Sequence, residues 1–264
     1  MSMKENRIPR SHWLRNIPIA HRGLHDESFP ENSIPAFKRA VEEGFVIELD
    51  VRLSLDGVIF VLHDLDTKRM TGEKLKSIDQ SVARLRQLRL AGTVYRIPTL
   101  DEVLEVVGGQ VPILIEIKSS GNPGPLEEKL CWRLLKYEED CGADHSELFA
   151  IQSFDPRVIR KIRKIDSRYL TGQLSQNMSK KKIPAWQKWL LTGCYTNVFT
   201  RPDFINYRYT DLPVGRITKM REAGMPVSGW TIRAESEIAV ALRHCDNFAF
   251  DGFVPDGNRT DMFR

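Results

Sequence analysis

Short apolar runs alternate with amphipathic stretches along most of this chain, and that alternation limits the fold more than any other feature. Residues 17–20 read as a buried parallel strand, and Gly23 permits the sharp turn after it. Asn32 or Ser33 caps a helix whose inner face is Ile34, Phe37, Ala40 and Val41, with Gly44 as its stop. Residues 45–53 read as the second strand. After the Asp56-Gly57 turn, residues 58–62 read as a further strand that ends at His63. Residues 65–96 are polar and rich in Lys and Arg, and read as an insertion packed on the main body. Thr99 and Glu102 form a capping box that opens the next helix.

Residues 111–117 give a third central strand, and four more strand-then-helix units follow. Their strands are expected at 148–152, 169–174, 197–200 and 227–232, with an irregular loop running from 200 through Tyr209 and a last strand at 248–254. About eight alternations in 264 residues favour a (β/α)8 TIM barrel over an open doubly wound sheet. No Gly-x-Gly-x-x-Gly follows the first strand, which argues against a dinucleotide fold. The whole chain, 1–264, reads as one barrel domain.

Alternation along the strands then selects the chemistry. Glu48, Asp50 and Arg52 share one face of their strand, and Glu116 and Lys118 share one face of theirs. A barrel's reactive groups sit at the C-terminal ends of its strands. His21, Glu48 with Asp50, His63, Glu116 with Lys118, Gln152 and Trp230 all fall near such ends. Three inward carboxylates repel one another unless a cation joins them. As hard oxygen donors, Glu48, Asp50 and Glu116 suit Mg²⁺ or Ca²⁺ better than zinc. The plainer alternative is structural pairing with Arg52 or Lys118. His21 and His63 can serve as general acid and base at neutral pH. Arg22 and Lys118 can hold a phosphate, or simply neutralise the acids. Trp230 either lines the pocket mouth or is a plain core residue. His12, His25, His145 and His244 lack such neighbours and are read as surface or structural.

Composition removes other classes. With 41% hydrophobic and 28% charged residues the chain is an ordinary globular sequence rather than a disordered one. A net charge of +4 suits an anionic substrate or surface but is not a nucleic-acid footprint. Cys131, Cys141, Cys194 and Cys245 are scattered without a Cys-x-x-Cys, which reads as reduced thiols in a cytoplasmic protein. Residues 1–15 hold no apolar signal-like core, and no run approaches the ~20 apolar residues of a membrane span. Peripheral contact stays open, because Lys180-Lys181-Lys182 precedes Trp186, Trp189 and Leu190. The expected arrangement there is tryptophans toward the barrel and lysines toward water.

The ordered motifs His21-Arg22-Gly23, Glu31-Asn32-Ser33, Glu48-Leu49-Asp50, Leu62-His63-Asp64, Ile97-Pro98-Thr99-Leu100, Glu116-Ile117-Lys118, Gln152-Ser153-Phe154 and Trp230-Thr231 cover nearly the whole chain. Together they resemble the glycerophosphodiester phosphodiesterases. The resemblance implies a TIM barrel with a small, mostly helical insertion after the second βα unit. It makes His21 and His63 the acid–base pair, with Glu48, Asp50 and Glu116 holding one divalent cation, Mg²⁺ or Ca²⁺. Arg22 and Lys118 would contact phosphate, and Asn32, Gln152 and Trp230 would line the substrate pocket. The implied reaction releases glycerol 3-phosphate and an alcohol from a small glycerophosphodiester. Two rivals stand beside it: a lysophospholipase D or other lipid-directed enzyme of the same chemistry, and a non-catalytic glycerophosphate-binding module. The chain departs from the family pattern at Asp251-Gly252-Phe253-Val254-Pro255, and in the irregular sixth unit.

Overall fold

The computed structural model describes residues 8–118, 120–142 and 145–256. Ser119 lies outside them, and the side chains of Cys141 and His145 are likewise not described. Nine strands form one sheet: β1 Ile19–Ala20, β2 Val46–Leu53, β3 Ile59–Val61, β4 Ile113–Ile117, β5 Phe149–Ser153, β6 Leu170–Ser175, β7 Phe204–Arg208, β8 Val227–Ile232 and β9 Asn247–Phe250. All but β3 run parallel. β1 pairs with both β9 and β2, so these eight strands close into a barrel. The fold is the expected (β/α)8 barrel.

Strand alternation divides the core into two layers. Ile47, Leu49, Val51, Ile113, Ile115 and Ile117 point outward to the helices. Ile19, Val46, Leu114, Ala150, Leu170, Phe204 and Ala249 fill the barrel near the N-terminal ends of its strands. Gly172 is required there, since a Cβ would overlap the Phe204 ring. The short helix Trp13–Asn16 adds Trp13 and Leu14 to that interior cluster. Asn247 ties the segment down through its side-chain amide, which donates to the Ile17 carbonyl at 2.8 Å.

The helix starts follow local chemistry. Ser33 caps Ile34–Glu42 by accepting from the Ala36 amide. Thr99 and Glu102 form the expected capping box on Leu100–Val107, worth about 1 kcal/mol. Asp155 caps Pro156–Ile165, with Pro at the first helical position.

Several segments differ from their sequence reading. β3 is antiparallel to β2, pairing Val61 with Val51, so it folds back as a hairpin outside the barrel ring. His63 therefore reaches the site from a return strand rather than from a neighbouring parallel one. The insertion lies before the second unit's helix Leu100–Val107, between that helix and the hairpin. It buries Met70, Leu85, Leu88 and Leu90 against Phe60 and Leu62, giving it a small core of its own. Residues 197–200 are a helical turn, and the strand expected there is β7, within the stretch read as irregular loop. Polar Asn206 on the inner face of β7 hides its apolar period. The last strand stops at Phe250.

Candidate active site

The inward positions that carry apolar side chains at the bottom of the barrel carry charge one step higher. β2 places Glu48 and Asp50 inside, and its register sets Asp50 opposite Glu116 on β4. All three carboxylates are buried, and one oxygen from each lies within 4.8 Å of the others. The bare cluster is partly neutralised. Lys118 Nζ stands 3.0 Å from Asp50 Oδ1 and 2.5 Å from Glu116 Oε1. Arg22 Nε is 3.4 Å from Asp50 Oδ2. The Arg22 backbone amide donates to Glu48 Oε2 at 3.0 Å.

Those neighbours divide the acids. Burial pushes Glu48 well above the usual carboxylate range, and the charges of Asp50 and Glu116 add to the push. Burial also raises Glu116, although Lys118 opposes it. Against the same burial, Lys118 and Arg22 hold Asp50 well below its ordinary value. Glu48 Oε1 is buried with no hydrogen-bond partner. An orphaned carboxylate oxygen facing two more acids is a donor set that fits a hard divalent cation.

Backbone geometry brings the second layer in. Arg22 and Asn32 both adopt positive φ, 63° and 55°, a region open to few residues other than glycine. The Asn32 backbone amide donates to Arg22's carbonyl at 2.9 Å, pinning together the two ends of the loop between β1 and the helix Ile34–Glu42. Asn32 then donates from its side chain to Asp50 Oδ2 at 2.8 Å. In this structure it orients an acid of the cluster.

The histidines are each backed by a carboxylate. His63 Nδ1 lies 2.7 Å from Asp64 Oδ1. Asp64 accepts from Arg69 Nε at 2.5 Å, and Arg69 also donates to both oxygens of Glu31. Glu31 accepts from Arg22 Nη1 at 2.8 Å, which closes a chain of contacts from His63 round to the acidic cluster. Arg52 holds the same loop from beneath, donating to the His63 carbonyl at 2.6 Å and to that of Leu62 at 3.2 Å. His21 Nδ1 is 3.7 Å from Asp251 Oδ2, and His25 Nε2 is 2.8 Å from Asp251 Oδ1. Burial lowers both His21 and His63 below the ordinary imidazole value, while Asp251 and Asp50, respectively, oppose it. His21 and His25 keep Asp251 far below the carboxylate range despite its burial.

The structure thus brings His21, Arg22, Asn32, Glu48, Asp50, Glu116 and Lys118 together, with His63 joined through the Asp64–Arg69–Glu31 relay. Gln152 lies opposite Glu116 in the register and accepts from Asn206 at 2.9 Å. Trp230 meets Phe154 edge to face at 5.6 Å and donates to the Asn206 carbonyl. It is half-buried and also packs against the interior cluster of the barrel. Sequence reasoning missed Arg69, Asp251 and His25. Only Asp251-Gly252, which stands where the family pattern has its closing Asp-Gly ahead of the departure at Pro255, carried any signal for them.

A cavity of about 790 Å³ opens from Glu116 and Lys118 past Phe154, Trp186, Leu190 and Leu191. Its outer wall is the helix Ala185–Thr192, which has no buried residue. The expected inward tryptophans are not found: Trp186 and Trp189 are 64% and 61% exposed. The helix sits at the rim of the cavity, held to the end of β6 by Ser175 donating to the Leu191 carbonyl at 2.7 Å, so only Leu190 and Leu191 turn inward and the tryptophans do not.

Comparison with known proteins agrees with this architecture. The glycerophosphoryl diester phosphodiesterase family model matches residues 21–251. A glycerophosphodiester phosphodiesterase from Caldanaerobacter subterraneus subsp. tengcongensis is 36% identical over 177 residues, covering 62% of this chain and 68% of the relative. A glycerophosphodiester phosphodiesterase from Thermotoga maritima superposes with a TM-score of 0.66 at 26% identity, covering 89% of this chain and 93% of that one. An Oleispira antarctica phosphodiesterase, solved in complex with the product sn-glycerol-3-phosphate, shares the fold with a TM-score of 0.70. It is 23% identical and covers 89% of this chain and 93% of its own.

Proposed function

The chain belongs to the glycerophosphoryl diester phosphodiesterase family and is a phosphoric diester hydrolase, and from that membership we propose its substrate, its ion and the roles of its residues. The substrate is a small glycerophosphodiester such as glycerophosphocholine or glycerophosphoethanolamine, cleaved to glycerol 3-phosphate and an alcohol. The product bound to the Oleispira relative supports the glycerol phosphate half. The carrying observation is the buried Glu48–Asp50–Glu116 cluster with Arg22 and Lys118 set into it.

Arg22 and Lys118 bind the phosphate, exchanging part of their pairing with the acids for its oxygens. Glu48, Asp50 and Glu116 would hold one Mg²⁺ or Ca²⁺, which would supply positive charge against the phosphate. Asn32 keeps Asp50 turned toward the cluster. Gln152 and Trp230 line the pocket beside the phosphate. The two imidazoles move the protons. One accepts the proton of the nucleophile, a water or a neighbouring hydroxyl of the substrate, as its oxygen bonds to phosphorus. The other gives a proton to the leaving oxygen as the second phosphorus–oxygen bond breaks. Burial lowers the basicity of both rings, which favours the neutral form in the one that acts as base, while Asp64 and Asp251 stabilise each ring when it carries charge. Cys131, Cys194 and Cys245 are buried free thiols, which supports a reducing, cytoplasmic setting.

The test is release of glycerol 3-phosphate from glycerophosphocholine by the purified protein. His21→Ala and His63→Ala should each lower kcat by about 10²- to 10⁴-fold. Full activity in either variant would refute its acid–base role, and turnover indifferent to a chelator would refute the ion.

A further inference from the structure

The helix Ala185–Thr192 is built unlike the others in the barrel. A surface helix normally buries one apolar stripe, yet in this one Leu190 and Leu191 are only half-buried and Trp186 and Trp189 face solvent. Trp189 is held rigid rather than loose, stacked on Tyr195 with ring centroids 4.0 Å apart. The charge carried by its own segment has one sign. Between Asp166 and Asp203 the sequence contains no acidic residue, and Lys180, Lys181, Lys182, Lys188 and Arg201 all fall there. Lys180, Lys181 and Lys182 are exposed, and among the described residues none of them forms an ion pair. Lys188 folds back to the Ser179 carbonyl at 2.8 Å, fixing the lysine-bearing loop to the helix.

Placement gives the pattern meaning. The segment follows β6 on the face where the strands end, and Trp186 and Leu190 belong at once to the rim and to the cavity wall that reaches Lys118. Exposed tryptophan beside unpaired lysine is complementary to an anionic lipid headgroup layer, and the acids that approach the segment are engaged elsewhere, Asp155 by Arg157 and Asp211 by the Asn177 amide. It is poorly matched to a soluble partner, because an ordinary protein contact surface is depleted in lysine. We propose that residues 180–189 form a docking surface that seats the catalytic mouth on an anionic phospholipid bilayer, so that the cavity opens toward the membrane plane. The placement of the mouth rests on the reading of the cavity as the substrate route; the docking itself does not.

The experiment is cosedimentation of the full-length chain with phosphatidylcholine vesicles, with and without phosphatidylglycerol, at low and high salt. Hydrolysis of soluble glycerophosphocholine is measured on the same samples. Two variants are compared: Lys180→Gln/Lys181→Gln/Lys182→Gln, and Trp189→Ser, none of which touches the cavity. The wild type should bind the anionic vesicles and release them as salt rises. The triple variant should bind at least tenfold more weakly, since each lysine near such a surface contributes roughly a fivefold factor. Trp189→Ser should also weaken binding, and both variants should keep glycerophosphocholine turnover. Equal binding by variants and wild type, or no wild-type binding to anionic vesicles at low salt, overturns the proposal. A wild-type dimer that Trp189→Ser makes monomeric, without vesicle binding, also overturns it and assigns the surface to a second copy. Vesicle binding without glycerophosphocholine turnover supports docking while counting against the proposed reaction; turnover without vesicle binding does the reverse.

Discussion

Binding of a divalent cation should be measurable as stability, apart from any assay of turnover. Three buried carboxylates share a space in which one oxygen of each lies within 4.8 Å of the others. Arg22 and Lys118 are the cations set against them, so full ionisation leaves the cluster one negative charge in excess. A ligand that binds only the folded state at a hundred times its Kd adds about 2.7 kcal/mol. In a chain of this size each kcal/mol moves Tm by about 2–4 °C, so saturating Mg²⁺ or Ca²⁺ should raise the Tm of chelator-stripped protein by roughly 5–10 °C. The sign of the pH dependence follows from Glu48 and Glu116, both raised by burial. Without the ion, stability falls as pH rises from the ordinary carboxylate value toward their folded values, because the unfolded chain loses those protons first. The cation removes that loss by replacing the proton. Its stabilising effect should therefore be larger near about pH 8 than near about pH 5. Thermal unfolding with titrated metal would show this, with Asp50→Asn as control, since that variant keeps the shape but loses a charged ligand. An unchanged Tm with both metals, or an equal shift in Asp50→Asn, would refute the reasoning.

Other expectations follow from single contacts. Arg69→Ala should lower kcat about fivefold with little change in KM: its charge-assisted bonds are worth about 2 kcal/mol when shielded, and half exposure reduces that to about 1 kcal/mol. An unchanged kcat would remove the relay to His63. Asp251→Asn removes a carboxylate that raises the His21 pKa, so the limb of the pH–kcat profile that belongs to His21 should move toward lower pH. A profile that does not move would show that Asp251 serves structure alone. Gly172→Ala forces a methyl into the Phe204 ring and should cost about 1–3 kcal/mol, visible as a Tm lower by several degrees with the reaction still running in the folded fraction.

The legible parts of this chain were those where a strand's two-residue period carries both packing and chemistry. Glu48 and Asp50 could be placed inside the barrel because Ile47, Leu49 and Val51 claim the opposite face. The capping box at Thr99 was legible because it is local. Three kinds of information were not. β7 escaped because Asn206 points inward to meet Gln152, a pairing visible only once the barrel closes. Arg69 and Asp251 escaped because each meets its partners across a fold boundary, Arg69 from the insertion and Asp251 from the far end of the chain. Trp186 and Trp189 were placed inward because a helix period fixes which residues share a face, not whether anything stands opposite.

Closure of the ring between β1 and β9 also orders events in time. His21 follows the first barrel strand, while Asp251 follows the last, separated by nearly the whole barrel. A ribosome extends a chain at about 5–20 residues per second, N-terminal parts first. The His63 relay and the acidic cluster are encoded before Lys118 has passed, long before the partner of His21 exists. A nascent chain would then carry its buried acids and their cations for many seconds without the strand that closes the ring around them. The ring, and with it the contact of His21 with Asp251, is complete only when Asn247–Phe250 emerges and joins β1.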